Sequence, residues 1–347
     1  MEDPTAPRSG ASRGPILVTG AAGFIGGALA RRLAEAGRPV AALDLPGRPT
    51  DHLRRPGIAI LEGDVTSRGD CDRALAAAAP AAVVHCAALM GGFAPPAEYL
   101  RVNAHGSETL AEACAAASVR RFVYLSSVTV HGLPARRGIT EDDPLRSIGL
   151  AYADSKIAAE ERLLRIHQRG GIRLTILRPG DVHGPRSVEW VVKLVEALRA
   201  RRMILVGGGR GLVNVAYVDN LADAVCRCLD AAASEGRTYL ITDGPPVTWR
   251  RYLDALAAAA GLPPPRLSIP AILAPPLVLA LEAAYRPLGR RPPLGRMGLK
   301  ILTARCSYSI ERARRELGWE PAVGFEEGMR RIAVWLRSPE ASSPGPR

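Results

Sequence analysis

Short apolar runs and longer amphipathic stretches alternate along this chain. "PILVTG" (15–20) stays apolar until it closes on glycine, the mark of a strand buried on both faces. Residues 24–36 follow with a helical pattern that stops at Gly37, and "PVAALD" (39–44) is a second buried strand. The alternation continues through "GIAILEGD" (57–64), a helix around 69–79, "AAVVHCAA" (81–88), a helix around 97–117 and "RFVYLSS" (121–127). A helix around Tyr152 and the strand "IRLTILRP" (172–179) complete the series. Strands separated by helices make successive β-α-β units. Right-handed crossovers turn these into a parallel sheet covered on both faces, so the pattern predicts a doubly wound α/β fold.

Composition narrows the class. The 347 residues suffice for one large domain or two modest ones, and a 47% hydrophobic share supplies a core. The formal charge of +12 is large, but the arginines are scattered and aromatics make up only 5%, so no nucleic-acid partner is expected. Attraction to an anionic cofactor or to lipid headgroups fits the charge better. Cysteines at 71, 86, 114, 226, 228 and 306 form no Cys-x-x-Cys and no zinc spacing, so they read as reduced thiols of a cytoplasmic protein without a metal. "MEDPTAPRSGASRGP" has no apolar centre and is not a signal peptide. Residues 1–13 and 337–347 are expected to be a disordered arm and tail.

Two constellations carry chemistry. "TGAAGFIGG" places Gly20, Gly23 and Gly26 directly between the first strand and its helix. Such a turn lets backbone N–H groups approach a pyrophosphate. Asp44, 18 residues beyond Gly26, ends the second strand where a carboxylate would bind ribose hydroxyls and repel a 2′-phosphate. NAD is therefore expected over NADP, although Arg48 stands close by. The other constellation is "AYADSKIAAE" (151–160), with Tyr152 four residues before Lys156. Positions four apart share one helix face. The pair is either an accident of composition or a proton-transfer couple.

Taken in order, "TGAAGFIG", "GDVT" (63–66), "HCAA" (85–88), "VNAHGSETL" (102–110), "YLSSVTVHG" (124–132), "YADSK" (152–156) and "LRPGDVHGP" (177–185) resemble an extended short-chain dehydrogenase/reductase of the NAD-dependent epimerase/dehydratase superfamily. The likeness runs from residue 14 to about 336. It implies a Rossmann NAD-binding domain over 14–180, to which 212–243 return, and a smaller, mostly helical substrate-binding region over 181–211 and 244–336. It also implies that Asp64 and Val65 bound the adenine, that Ala87 and Ala88 lie on the cofactor, and that Phe24, Ile25, Pro179 and Val182 do the same within their motifs. Asn103 would help to hold the lysine. Tyr152 would be the general acid/base, with Lys156 lowering its pKa from about 10 and holding the nicotinamide ribose. Ser127 aligns with the catalytic serine, and Ser126 would touch the nicotinamide side.

The later part of the chain points to the substrate. Nucleotide-sugar enzymes of the superfamily carry an arginine where Val213 stands and commonly an asparagine where Asp181 stands. The charge of Asp181 would repel a diphosphate, with Arg210 as a counterweight. His131 and His183 read as hydrogen-bonded loop residues rather than catalytic ones. "LSIPAILAPPLVLALEAAYRPLGRRPPLGR" (267–296) is apolar with basic flanks, and the 13 residues from Ile269 to Leu281 carry no charge. That run is too short for a bilayer of about 30 Å. Pro276 could open a helix there. Core packing, an apolar wall over the substrate, and docking at a membrane surface through Arg286, Arg290, Arg291, Arg296 and Lys300 all remain open. With its flanks this stretch is similar to the 3β-hydroxysteroid dehydrogenase branch, including sterol-4α-carboxylate 3-dehydrogenases and bacterial reductases of long-chain β-keto acids. The resemblance implies an NAD-dependent oxidoreductase, expected as a homodimer, that interconverts a secondary alcohol and a ketone on an apolar small molecule. A nucleotide-sugar epimerase or dehydratase with tightly bound NAD, and a non-catalytic cofactor sensor, are the alternatives.

Overall fold

The structure is a computed structural model, and it describes residues 14–91, 94–288, 292 and 294–342. The expected arm, residues 343–347 of the expected tail, and Arg290 and Arg291 lie outside the described residues. Residues Pro339–Ser342, the start of that tail, form a short 3-10 turn.

Six parallel strands follow in the predicted order: β1 (Ile16–Thr19), β2 (Val40–Asp44), β3 (Ile58–Glu62), β4 (Ala82–His85), β5 (Arg121–Leu125) and β6 (Arg173–Pro179). Short strands β7 (Asp181–His183), β8 (Leu205–Val206), β9 (Leu212–Val213) and β10 (Val215–Tyr217) come next. Then β11 (Thr238–Ile241) returns to the main sheet, and β12 (Val247–Thr248) and β13 (Ser268–Ile269) lie beyond it. The main sheet has the order β11-β6-β5-β4-β1-β2-β3. Strand order reverses between β1 and β4, which opens a crevice at their carboxyl ends, the usual ligand position in such sheets.

Strands β1 and β4 are wholly buried, which is why their sequences are unbroken apolar runs rather than alternating ones. One face packs Leu29, Leu33, Leu221 and Trp319, and the other packs Leu110, Phe122, Leu163 and Ile166. A third cluster, with Trp249, Tyr252, Leu256, Phe325 and Ile332, gathers the later helices around the small strands. The helix expected over 97–117 is instead three pieces: Pro96–Tyr99, a π-helical stretch Leu100–His105, and Gly106–Ala116. The wider π turn contains Asn103, and such turns concentrate at functional positions.

Candidate active site

The crevice begins at the glycine turn. Gly20 has φ of 66°, and a Cβ there would lie 2.7 Å from Ala87 Cα. A Cβ on Gly26 would lie 2.2 Å from the Gly20 carbonyl oxygen. Only glycine lets the turn close this tightly against the segment after β4. Gly23 caps the helix Phe24–Glu35 and offers no side-chain bond to the helix's first N–H groups. Asp44, at the end of β2, accepts the Ala22 and Leu45 N–H groups, each at 2.8 Å. The carboxylate thus ties β2 to the turn. Phe24 and Ile25 are half-buried beside it. Asp64 accepts the Thr66 N–H at 2.8 Å, and Val65 is buried. Ala87 is half-buried, Ala88 is exposed, Pro179 ends β6, and Val182 is the buried middle residue of β7.

A polar relay joins β1 to β4 underneath. The Thr19 hydroxyl accepts the Ala87 N–H at 3.2 Å and bonds His85 Nδ1 at 2.7 Å. His85 Nε2 pairs with Ser107 Oγ at 2.9 Å, and that hydroxyl reaches the Asn103 carbonyl at 2.6 Å. Burial holds His85 neutral, with a pKa pushed down to about 3.

Tyr152, Lys156 and Ser127 meet at the end of β5. The helix Ala151–Gln168 carries Tyr152 and Lys156 on one face, with the ammonium 5.9 Å from the phenol ring centre and 4.7 Å from that of Tyr124. Lys156 Nζ donates to the Leu125 carbonyl at 2.8 Å. Ser127 Oγ accepts the Thr129 N–H at 3.2 Å and its hydroxyl at 3.0 Å. Those two bonds leave the Ser127 hydroxyl proton available as a donor. Burial pushes the Tyr152 pKa up to about 12, and the nearby Ser127 hydroxyl only partly offsets it. In the free protein desolvation of the phenol therefore wins, and the lowering expected from Lys156 together with the positive nicotinamide ring belongs to the cofactor-bound site. The same burial lowers Lys156 to about 8.

Asn103 is a brace rather than a contact of the ammonium. Its Oδ1 accepts the Leu89 N–H at 2.7 Å, and its Nδ2 donates to the Leu89 carbonyl and to Ser155 Oγ, each at 2.9 Å. Ser155 in turn donates to the Tyr152 carbonyl at 2.7 Å. Asn103 therefore fixes the Tyr152 helix against the loop after β4.

Ser126 departs from its expected place beside the nicotinamide. Its hydroxyl turns into the core and donates to Glu160 at 2.5 Å. Glu160, fully buried, forms a two-bond ion pair with Arg178, at 3.0 Å from Nε and 2.6 Å from Nη2. Arg178 also reaches His131 Nε2 at 3.1 Å. Sequence reasoning missed this pair, though a signal existed. Glu160 continues the helix face of Tyr152 and Lys156 by one turn, and the arginine of "LRP" supplies the opposite charge.

On the substrate side, Val213 is fully buried in β9, so the arginine's place is core. Asp181 accepts the Asn214 N–H at 2.9 Å, and burial raises its carboxyl to about 7. It is therefore partly neutral near pH 7, which weakens the expected repulsion of a diphosphate. The helix Ala274–Tyr285 has Pro275 and Pro276 in its first turn, but buries only Ala274 and Val278. Leu267, Ile272, Leu273, Leu277 and Leu279 face solvent, which excludes the reading of this stretch as plain core packing.

A sequence profile of the NAD dependent epimerase/dehydratase family matches residues 16–242. A 2-alkyl-3-oxoalkanoate reductase of Stenotrophomonas maltophilia is 34% identical over 327 residues, covering 91% of this chain and 98% of its own length. The decarboxylating sterol-4-alpha-carboxylate 3-dehydrogenase of Schizosaccharomyces pombe is 27% identical, covering 92% and 97%. Among solved structures, the UDP-glucose 4-epimerase of Thermus thermophilus in complex with NAD superposes with a TM-score of 0.76 at 27% identity, covering 94% of this chain and 99% of that one.

Proposed function

This chain belongs to the NAD dependent epimerase/dehydratase family, and from that footing we propose that it is an NAD-dependent oxidoreductase of apolar substrates. It interconverts a secondary alcohol and a ketone on a long-chain 3-oxo acid or steroid-like molecule. The identity and coverage of the 2-alkyl-3-oxoalkanoate reductase and the sterol dehydrogenase support this substrate class. Buried Val213, at the position where diphosphate-binding relatives are expected to carry an arginine, supports it independently.

The residues of the crevice fit a dinucleotide. First-turn N–H groups without a side-chain cap face the glycine turn for the pyrophosphate, and Asp44 would take the adenosine ribose. Lys156 would hold the second ribose. Bound there, the nicotinamide would supply the hydride for reduction, or accept it in the reverse direction.

The single observation carrying the catalytic reading is the meeting of Tyr152, Lys156 and Ser127 at the end of β5, with the Ser127 hydroxyl fixed by Thr129. With a pKa of about 12, the Tyr152 phenol holds its proton at neutral pH and can donate it to a ketone oxygen. The Ser127 hydroxyl, fixed by Thr129, would donate a hydrogen bond to that same oxygen. Lys156, mostly charged at pH 7, then stabilises the phenolate until solvent returns the proton. A non-catalytic sensor has no need of this arrangement. A homodimer in the cytoplasm belongs to the same proposal, and analytical ultracentrifugation tests the dimer.

The test follows NADH absorbance with three substrate sets: long-chain 2-alkyl-3-oxo acids, 3-hydroxysteroids and nucleotide sugars. Turnover of either apolar set is expected. Turnover of a UDP- or dTDP-sugar, with none of an apolar alcohol or ketone, would overturn the proposal.

A further inference from the structure

Residues 255–310 contain seven arginines and lysines against one acid, Glu282. Half of the chain's formal +12 therefore sits in this stretch. The one acid is taken: Glu282 accepts the Arg296 backbone N–H at 2.9 Å and its Nε at 2.8 Å. The same stretch exposes large apolar side chains, with Leu267 64%, Ile272 83%, Leu273 56%, Leu277 41% and Leu279 52% accessible. Single exposed leucines are ordinary on a soluble protein, but five within 13 residues concentrate apolar area in one segment, which marks an interaction surface. Pairing of β13 with β8 brings Ile204, 41% accessible, to the same edge, beside exposed Arg201, Arg202 and Arg266. Arg286 and Lys300 are exposed at the other end.

We propose that this face docks on an anionic lipid bilayer, with the helix Ala274–Tyr285 lying in the plane of the interface. Its 12 residues give a length of about 18 Å, well short of the roughly 30 Å of a bilayer core. No helix among the described residues is long and apolar enough to cross a membrane. An apolar helix rimmed by arginine and lysine instead lies at the headgroup boundary, apolar side down and cations toward lipid phosphates. Charge also decides against a second copy of this chain as the occupant. A two-fold contact would set this cationic face against itself, with no acid left to compensate. The inference stands apart from the oxidoreductase proposal, because it rests on exposure and charge alone.

The test is flotation of the full chain with phosphatidylglycerol–phosphatidylcholine vesicles and with pure phosphatidylcholine vesicles, at low and high salt. Binding is expected to the anionic vesicles only and to weaken with salt, since each basic residue near such a surface is worth about fivefold. Ile272→Asp with Leu273→Asp should cut binding by more than about tenfold without moving the thermal unfolding midpoint, because both side chains already face solvent. Arg266→Glu with Lys300→Glu should weaken binding and flatten its salt dependence. Absence of binding to anionic vesicles at low salt would overturn the proposal. So would equal binding of the wild type and the Ile272→Asp, Leu273→Asp variant, or a patch variant that splits a dimer and leaves flotation unchanged.

Discussion

At the carboxyl ends of β4 and β5, polar and charged groups are buried and almost every one has a partner. Along Leu267–Tyr285 the reverse holds: apolar groups are exposed, and the single acid is neutralised by Arg296. The first region spends stability to hold a few atoms in place. His85 is kept neutral, Glu160 and Arg178 are desolvated together, and Asn103 uses all three of its observed bonds on the loop and helix that flank Tyr152. The second region holds nothing in place and leaves its apolar area facing solvent. A reaction centre needs fixed geometry, whereas an interfacial surface needs only composition and exposure. Substitutions should therefore be costly and position-specific in the first region and nearly free for folding in the second.

The largest effect is expected at Tyr152. Tyr152→Phe removes the proton donor but keeps the ring, so turnover should fall by roughly 10²–10⁴ while NAD affinity changes little. Titration of NAD binding beside steady-state rates checks both halves. A variant keeping a tenth of wild-type turnover would remove Tyr152 from the acid role.

Next in size is the buried ion pair. Glu160→Gln leaves the Arg178 guanidinium, only 7% exposed, without its counter-charge. Breaking such a pair from one side costs about 3–5 kcal/mol, which urea unfolding would resolve. Leu279→Asp in the exposed helix should lie within about 0.5 kcal/mol of wild type in the same experiment. Equal losses at the two positions would erase the contrast between the regions.

The contrast also explains what the sequence made legible. Gly20, Gly26, Tyr152 and Lys156 were readable because backbone closure and helix periodicity impose fixed spacings on them. The β-α-β order was readable because buried parallel strands must be apolar runs. The partner of Ser126 was not, since a hydroxyl at a strand end can turn either way and only the burial of Glu160 decides. Nor was the sign of the Tyr152 shift: it depends on how much water the fold removes from the phenol, which no spacing records. The stretch 267–285 left three readings open because an apolar run looks alike whether it meets core, substrate or solvent. Exposure of Ile272 and Leu273 excludes the first of them.

The smallest effect expected within the inner region lies at Asp181, a half-buried charge with a single observed backbone partner, the Asn214 N–H. Its folded-state carboxyl is raised to about 7, against about 4 for an unfolded aspartate. The folded protein therefore holds that proton more tightly than the unfolded chain does. Between those two values stability from this group rises as pH falls, and the penalty is fully present only above pH 7. Asp181→Asn keeps an oxygen for the Asn214 N–H and removes the charge. It should stabilise the protein by on the order of 1–3 kcal/mol at pH 8, with the gain vanishing toward pH 4. Asp243, also raised to about 7, contributes the same slope to both proteins, so the difference between their unfolding curves isolates Asp181. A difference that does not change with pH would mean that Asp181 is well solvated, and that this edge of the inner region behaves like the outer one.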